Sequence, residues 1–321
     1  MKWFVALLLS FALVASASPG HAGERRPAVQ SAYLVGLDIH TPSGRVVHVP
    51  LPGQRYSFTT LFGRTAKGWL IGYGCDAYLV AKRHAKKLPR VDLCSLGYGF
   101  ANTMTDDRRY LLTAWDQRGT GITMGRTDLA APKAEYDFIE DAYRLDGGTA
   151  DKAYVATYGG LVEVDLLTGD ATEIVRRGVP LVDVGSDTLF VVSPKDSGFV
   201  GPTRLSDPGQ VSWRQEFLPT DVSPDVTYVL GTAPDYKSLQ VRRMSDGRLV
   251  RTIPQPDDFN SSVFSDVGWD TDHSVVMVKV YGKRRAIVRC PIPAGRCQRV
   301  TRLTRLAVSL PTWVAGPHEG V

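Results

Sequence analysis

Short apolar runs that alternate with polar residues, each closed by a turn signal, recur along almost the whole chain. The clearest unit runs from Leu218 to Pro254. Ser223, Pro224 and Asp225 form a turn signal, and Tyr228 to Gly231 a short apolar strand. After a loop with Pro234 and Asp235 come the alternating strand Leu239 to Arg242, the tight turn Ser245, Asp246, Gly247 and a last strand, Leu249 to Ile253. Alternation sends successive side chains to opposite faces, which marks strands rather than helices. Asp-Gly supplies the positive φ angles of a hairpin turn at little steric cost. One such sheet cannot bury both its faces and needs neighbours. Outside the N-terminal segment no stretch keeps apolar residues at i, i+3, i+4 and i+7 for three turns, so little helix is expected.

Two landmarks repeat. Hairpin turns fall at Ser43-Gly44, Thr168-Gly169, Asp207 to Gly209, Asp246-Gly247 and Ala294-Gly295, with weaker ones near Lys86 to Pro89 and Ala130 to Pro132, seven in all. Independently, Asp107, Asp151, Asp187, Asp225 and Asp272 each precede a short apolar strand, at successive spacings of 44, 36, 38 and 47 residues. Periods of about 40 to 50 residues with four short strands each are the signature of propeller blades. The expected fold is therefore an all-β propeller of four-stranded antiparallel blades, seven in number, with six as the alternative. Tyr33 to Ile39 and Arg45 to Val49 supply only the outer half of a blade. The tail Leu303 to Trp313 is then expected to complete it with inner strands, joining the two chain ends and removing the raw sheet edges of an open ring.

The unit around Asp221 to Ile253 resembles a TolB-like or WD40-like propeller repeat of secreted bacterial proteins, in which a Ser-Pro-Asp-Gly turn joins the first two strands. Ser223, Pro224 and Asp225 match that turn, with Val226 in place of the glycine. Val267 to Val300, with Trp269, Asp270, Arg289, Cys290, Gly295 and Cys297, looks like the last blade of exported actinobacterial propellers. The resemblance implies fold and not activity, because propellers host many unrelated functions. Trp115-Asp116 ends a second strand and Trp269-Asp270 precedes one, so neither pair sits where a WD40 dipeptide does. Both are expected to pack, with a turn aspartate.

The N-terminus changes the picture of where the protein works. Lys2 precedes the apolar run Trp3 to Val14, and small residues follow at Ala15, Ser16, Ala17, Gly20 and Ala22. This is the three-part pattern of a secretory signal peptide, residues 1–22, cleaved after Ala17 or Ala22. The run is well short of the roughly 20 residues that span a bilayer. Residues 23–321 are expected to form one exported, monomeric domain with no transmembrane segment. The chain has 31 Gly, 20 Pro and 43% hydrophobic residues, with no low-complexity segment to divide it.

The four cysteines suit an oxidising destination. Cys290 and Cys297 flank a hairpin and are expected to bridge. Cys75 and Cys94 are left as the second pair, near the two ends of one blade, where a loop at Cys75 must lean across strands one apart. No CxxC or His pair with ligand spacing points to zinc, and no cofactor is expected. The formal charge is +5, and basic residues cluster. Lys82, Arg83, Lys86 and Lys87 crowd one hairpin tip, and Lys283, Arg284 and Arg285 another. Both are candidate polyanion-binding sites. No aromatic stacking motif accompanies them, so no nucleic-acid partner is expected.

No GxSxG elbow, P-loop, HExxH or GxGxxG before a helix is present. The adjacent acids Asp106-Asp107, Glu140-Asp141 and Asp257-Asp258 point to opposite faces if on strands, and the histidines are scattered. No catalytic residue is assigned. Three readings follow: an exported noncatalytic propeller that binds a protein or envelope component through its loop face; a glycan-active enzyme with residues converging at the central channel; or an electrostatic adhesion module for anionic wall polymers.

Overall fold

A computed structural model describes residues 31–51, 59–93, 101–105, 107–116, 121–129, 134–140, 142–196, 198–254 and 266–311. Among them there is no helix, only strands and turns. The first three strands are β1 (Tyr33–Val35), β2 (Asp38–His40) and β3 (Val46–His48). Four-stranded blades follow in chain order: β4 (Thr59–Thr65), β5 (Gly68–Tyr73), β6 (Asp76–Ala81), β7 (His84–Asp92); then β8 (Ala101–Met104), β9 (Tyr110–Asp116), β10 (Gly121–Asp128), β11 (Ala134–Glu140). The fourth blade is β12 (Ala142–Gly148), β13 (Lys152–Thr157), β14 (Gly160–Asp165), β15 (Ala171–Val175), and the fifth β16 (Leu181–Asp183), β17 (Thr188–Val192), β18 (Phe199–Arg204), β19 (Gln215–Glu216). The sixth is β20 (Leu218–Val222), β21 (Tyr228–Thr232), β22 (Ser238–Arg243), β23 (Leu249–Pro254), and the seventh β24 (Val267–Thr271), β25 (Ser274–Tyr281), β26 (Arg284–Pro291), β27 (Gln298–Arg299). A last strand, β28 (Val308–Ser309), pairs antiparallel with β1 through Leu34↔Ser309 and Val35↔Val308.

The seven-bladed, all-antiparallel propeller expected from the sequence is therefore what the chain forms, with sheet one ordered β28-β1-β2-β3. The first strands of most successive blades touch one another and so surround the axis. Strands of a blade are lettered A to D outward from that axis. The tail supplies one inner strand, not two, because the run Tyr33 to Ile39 is itself two strands broken at Gly36, whose φ is 61°. Left-handed backbone at that point suits a residue without Cβ. The turn expected near Lys86 to Pro89 is also displaced: those residues lie within β7, and the hairpin turns instead at Lys82 and Arg83. Trp269 and Asp270 lie on the first strand β24, ahead of the second strand β25, as expected.

Packing explains why single blades do not suffice. Seven clusters of buried residues lie one at each blade–blade interface, such as Leu112 and Met124 against Leu145 and Val155, or Leu230 and Val241 against Val275 and Met277. Each buried Leu, Val or Ile contributes about 1.5–3 kcal/mol, and only the neighbouring blade covers it. The A-strand alternation is thus read out twice, once on each side of the sheet.

Candidate functional site

Antiparallel connectivity sorts the turns by parity. A–B and C–D turns emerge on one end of the ring, and B–C turns and the blade-to-blade D–A connections on the other. All five turn aspartates fall in A–B turns and the glycine turns in C–D turns, so both sequence landmarks mark one face. Those turns are locally built. The hydroxyls of Thr105, Thr149 and Ser223 donate to the aspartate two residues on, at 2.5, 2.6 and 2.7 Å. Gly247 adds a close approach at its C–D turn: its φ is 70°, and a Cβ added there would lie 2.6 Å from the Trp213 ring.

This face opens into the central channel, a cavity of about 1120 Å³ whose lining includes Trp69, Trp269, Asp146, Asp183 and Asp221. The sequence reading missed these three carboxylates, which sit on the A strands β12, β16 and β20 of consecutive blades. A signal existed, since Asp183 and Asp221 each precede a turn aspartate by four residues. Each is engaged. Arg144 pairs with Asp146 and also donates to the Val179 carbonyl. The Ser186 amide donates to Asp183 at 3.2 Å. The Trp269 amide donates to Asp221 Oδ2 at 3.1 Å, tying the inner strands of blades six and seven. Burial raises the pKa of Asp146 and Asp183. It raises Asp221 to about 8, with repulsion from Asp183 adding to the shift. Asp221 is thus largely a protonated, neutral acid at pH 7.

Asp270 is different. Its side chain is fully buried, its Oδ2 lies 2.9 Å from Arg289 Nε, and its Oδ1 accepts the Ser31 amide at 2.7 Å. The expectation of a turn aspartate is corrected: Asp270 joins the first blade to the seventh.

The expected site residues divide. Cys290 and Cys297 are bridged across the C–D turn of blade seven, with Cα atoms 4.2 Å apart. Cys75 is disulfide-bonded, and Cys94 lies outside the described residues. Cys75 lies between β5 and β6. It sits in the B–C turn, where its carbonyl accepts the Leu93 amide at 2.7 Å just beyond β7. Lys82 and Arg83 occupy a C–D turn, whereas Lys86 and Lys87 lie on β7, and Lys87 pairs with Asp76 at 2.6 Å. Lys283 is in the B–C turn of blade seven, and Arg284 and Arg285 start β26. The tips of the two basic clusters therefore face opposite ends of the ring. His40 stacks on Tyr33 and His48 meets Asp38 at 2.8 Å, while His273 lies edge-on to Tyr228, a scatter that assembles no site. Of the adjacent acids, Asp106, Asp141, Asp257 and Asp258 lie outside the described residues. Among the described residues no group of acids, histidines or cysteines is arranged to hold a metal ion.

The opposite face carries a feature that the sequence reading did not isolate. Three tyrosines are among the exposed large hydrophobics, Tyr158 at 76%, Tyr236 at 59% and Tyr281 at 39%. All three lie at B–C turns, on blades four, six and seven. The exposed aliphatics Val46, Leu167, Val226 and Leu249 lie toward the other face.

No protein-family model matches the chain, and no curated protein does. Solved structures match at the level of fold. Hsv2 of Kluyvelomyces marxianus aligns over 87% of this chain and 93% of its own at 11% identity, with a TM-score of 0.56. The β-propeller domain of Cps50 (Swd1) from Myceliophteria thermophila aligns over 80% and 88% at 12% identity, with a TM-score of 0.55. The AfRom2 CNH domain aligns over 82% and 94% at 12% identity, with a TM-score of 0.52. At such identities the likeness concerns architecture alone, the β-propeller fold.

Proposed function

We propose that this propeller is an exported, noncatalytic binding module of the TolB-like secreted type, which engages a protein of the cell envelope through its B–C/D–A face. The observation that carries the reading is the gathering of Tyr158, Tyr236 and Tyr281 at equivalent turns of one face. Exposed tyrosine offers a large, stiff contact surface with a polar tip, and it is enriched in protein interfaces. The N-terminal signal pattern and the Cys290–Cys297 bridge support an oxidising location.

A salt-graded pull-down of the mature, disulfide-intact protein against its own envelope fraction tests this. A discrete protein retained at high salt by the wild type, and lost by Y158A/Y236A/Y281A, is the expected result. Equal retention by the triple variant would sink the assignment of the face. Mass spectrometry of exported material is expected to show an N-terminus at Ser18 or Gly23.

A second reading, a glycan-active enzyme, is favoured by one observation: Asp183 and neutral Asp221 are electrostatic neighbours at the channel mouth. A protonated acid beside a second carboxylate is the chemical requirement for glycoside cleavage. The bond from the Trp269 amide to Asp221 weighs toward a structural role. Release of reducing ends from envelope glycans that disappears in D183N would reverse the order of the two readings. A single flat polyanion cannot meet both basic tips at once, which leaves the adhesion reading without a common surface.

A further inference from the structure

Blades six and seven are neighbours in the ring, so their B–C turns stand side by side. Tyr236 projects from one and Tyr281 from the other, and cations surround both. Lys237 follows Tyr236, Lys283 and Arg284 follow Tyr281, and Lys279 Nζ lies 5.5 Å from the Tyr281 ring centroid. Among the described residues none of Lys237, Lys279, Lys283 and Arg284 is in an ion pair. Asp235 is the acid within these two turns, and its carboxylate accepts the Lys237 amide. Some surface cations elsewhere are paired, as in Arg109 with Asp128, Lys152 with Glu163 and Arg243 with Asp246.

Backbone geometry sets Tyr236 apart as well. It holds φ 57°, a left-handed conformation that blades two and seven give to Gly74 and Gly282. A bulky residue there is strained, and the surrounding turn must hold it in place.

Deepening the binding reading above, on which it rests, we infer that the paired B–C turns of blades six and seven dock an acidic protein segment that carries apolar side chains. Charge complementarity selects the acidic residues. The two rings give apolar and aromatic contact that a wall phosphate does not use.

The probe is a fluorescein-labelled peptide alternating Asp/Glu with Leu/Phe, titrated by anisotropy into the mature protein. Controls are a peptide with Ser in place of Leu/Phe, and polyphosphate as competitor. The apolar-acidic peptide is expected to bind, to weaken roughly tenfold or more in Y236A/Y281A and in K283E/R284E, and to be indifferent to K82E/R83E on the opposite face. Unchanged melting temperatures establish that the variants fold. Equal binding of the Ser peptide, or tyrosine-independent displacement by polyphosphate, overturns the inference in favour of a polyanion. If the peptide fails to bind while an envelope protein is still captured in a tyrosine-dependent way, the inference falls and the binding face stands. Failure of both removes both.

Discussion

At position 226 the A–B turn of blade six holds a β-branched residue at φ 58°, where the repeat it resembles has glycine. Left-handed backbone brings Cβ against the carbonyl oxygen and costs roughly 1–2 kcal/mol. Val226→Gly is therefore expected to stabilise the protein by about 1 kcal/mol, after glycine's larger unfolded-state entropy is set against the relief. Chemical denaturation measures it, and a destabilised variant would show the turn to be unstrained. Charge acts at the same scale. The pKa of Asp221 is raised to about 8, and that of Asp266 to about 6 by burial. A carboxyl with its folded pKa above its unfolded one favours the native state while protonated, and that contribution is lost as pH rises through the folded pKa. Stability is therefore expected to fall from about pH 4, where the unfolded carboxyls ionise, to about pH 8. Asp221→Asn should flatten the upper part of that slope in melts at stepped pH. An identical slope in the variant would mean that Asp221 ionises without cost.

Among elements, blade seven carries both a disulfide and a buried ion pair. The Cys290–Cys297 bridge closes a short loop on β26 and β27, and the chain-entropy model gives such a bridge roughly 2–3 kcal/mol. Replacing both cysteines by alanine should lower unfolding free energy by about that much, and an unchanged value would assign the bridge no part in stability. Arg289 reaches across β25 to Asp270 on β24, and Ser274 accepts its Nε at 3.1 Å. Removing Arg289 would leave a buried carboxylate without its cation, so Arg289→Ala is expected to cost about 3–5 kcal/mol, with Asp270→Asn/Arg289→Met recovering part of it. Elements were the best-read scale. Glycine turns are local chemistry, so five of the seven hairpin turns are readable as strong signals, and the weaker one near Ala130 to Pro132 lies outside the described residues. The turn at Lys82-Arg83 was misplaced because a lysine at φ 54° carries no glycine to announce it. The break at Gly36 was missed because apolar alternation continues across it.

In the whole molecule, one strand of two residues holds the ring shut. β28 pairs with β1, Ser309 Oγ accepts the Leu61 amide at 3.2 Å, and Val308 and Leu310 pack against Val276 and Ile287. Deleting residues 303–321 should expose two sheet edges and the seventh interface together, and so lower the melting temperature sharply. An unchanged melt would mean that the ring does not depend on the tail for closure.

Strands, turn chemistry, blade period and the need for closure are all written in the order of residues, because each rests on neighbours close along the chain or on the requirement that two-faced sheets be covered. Which residues share a surface is settled only when the blades assemble. Parity around the antiparallel blades sends Lys82 and Lys283 to opposite ends, while it brings Tyr158, Tyr236 and Tyr281 to one face across more than a hundred residues. Packing of blade five against blade six likewise places Asp183 beside Asp221, and burial there raises the pKa of both, a shift no local pattern encodes. A propeller's function is carried by such long-range placement, since its repeat specifies the blade and its ring specifies the site.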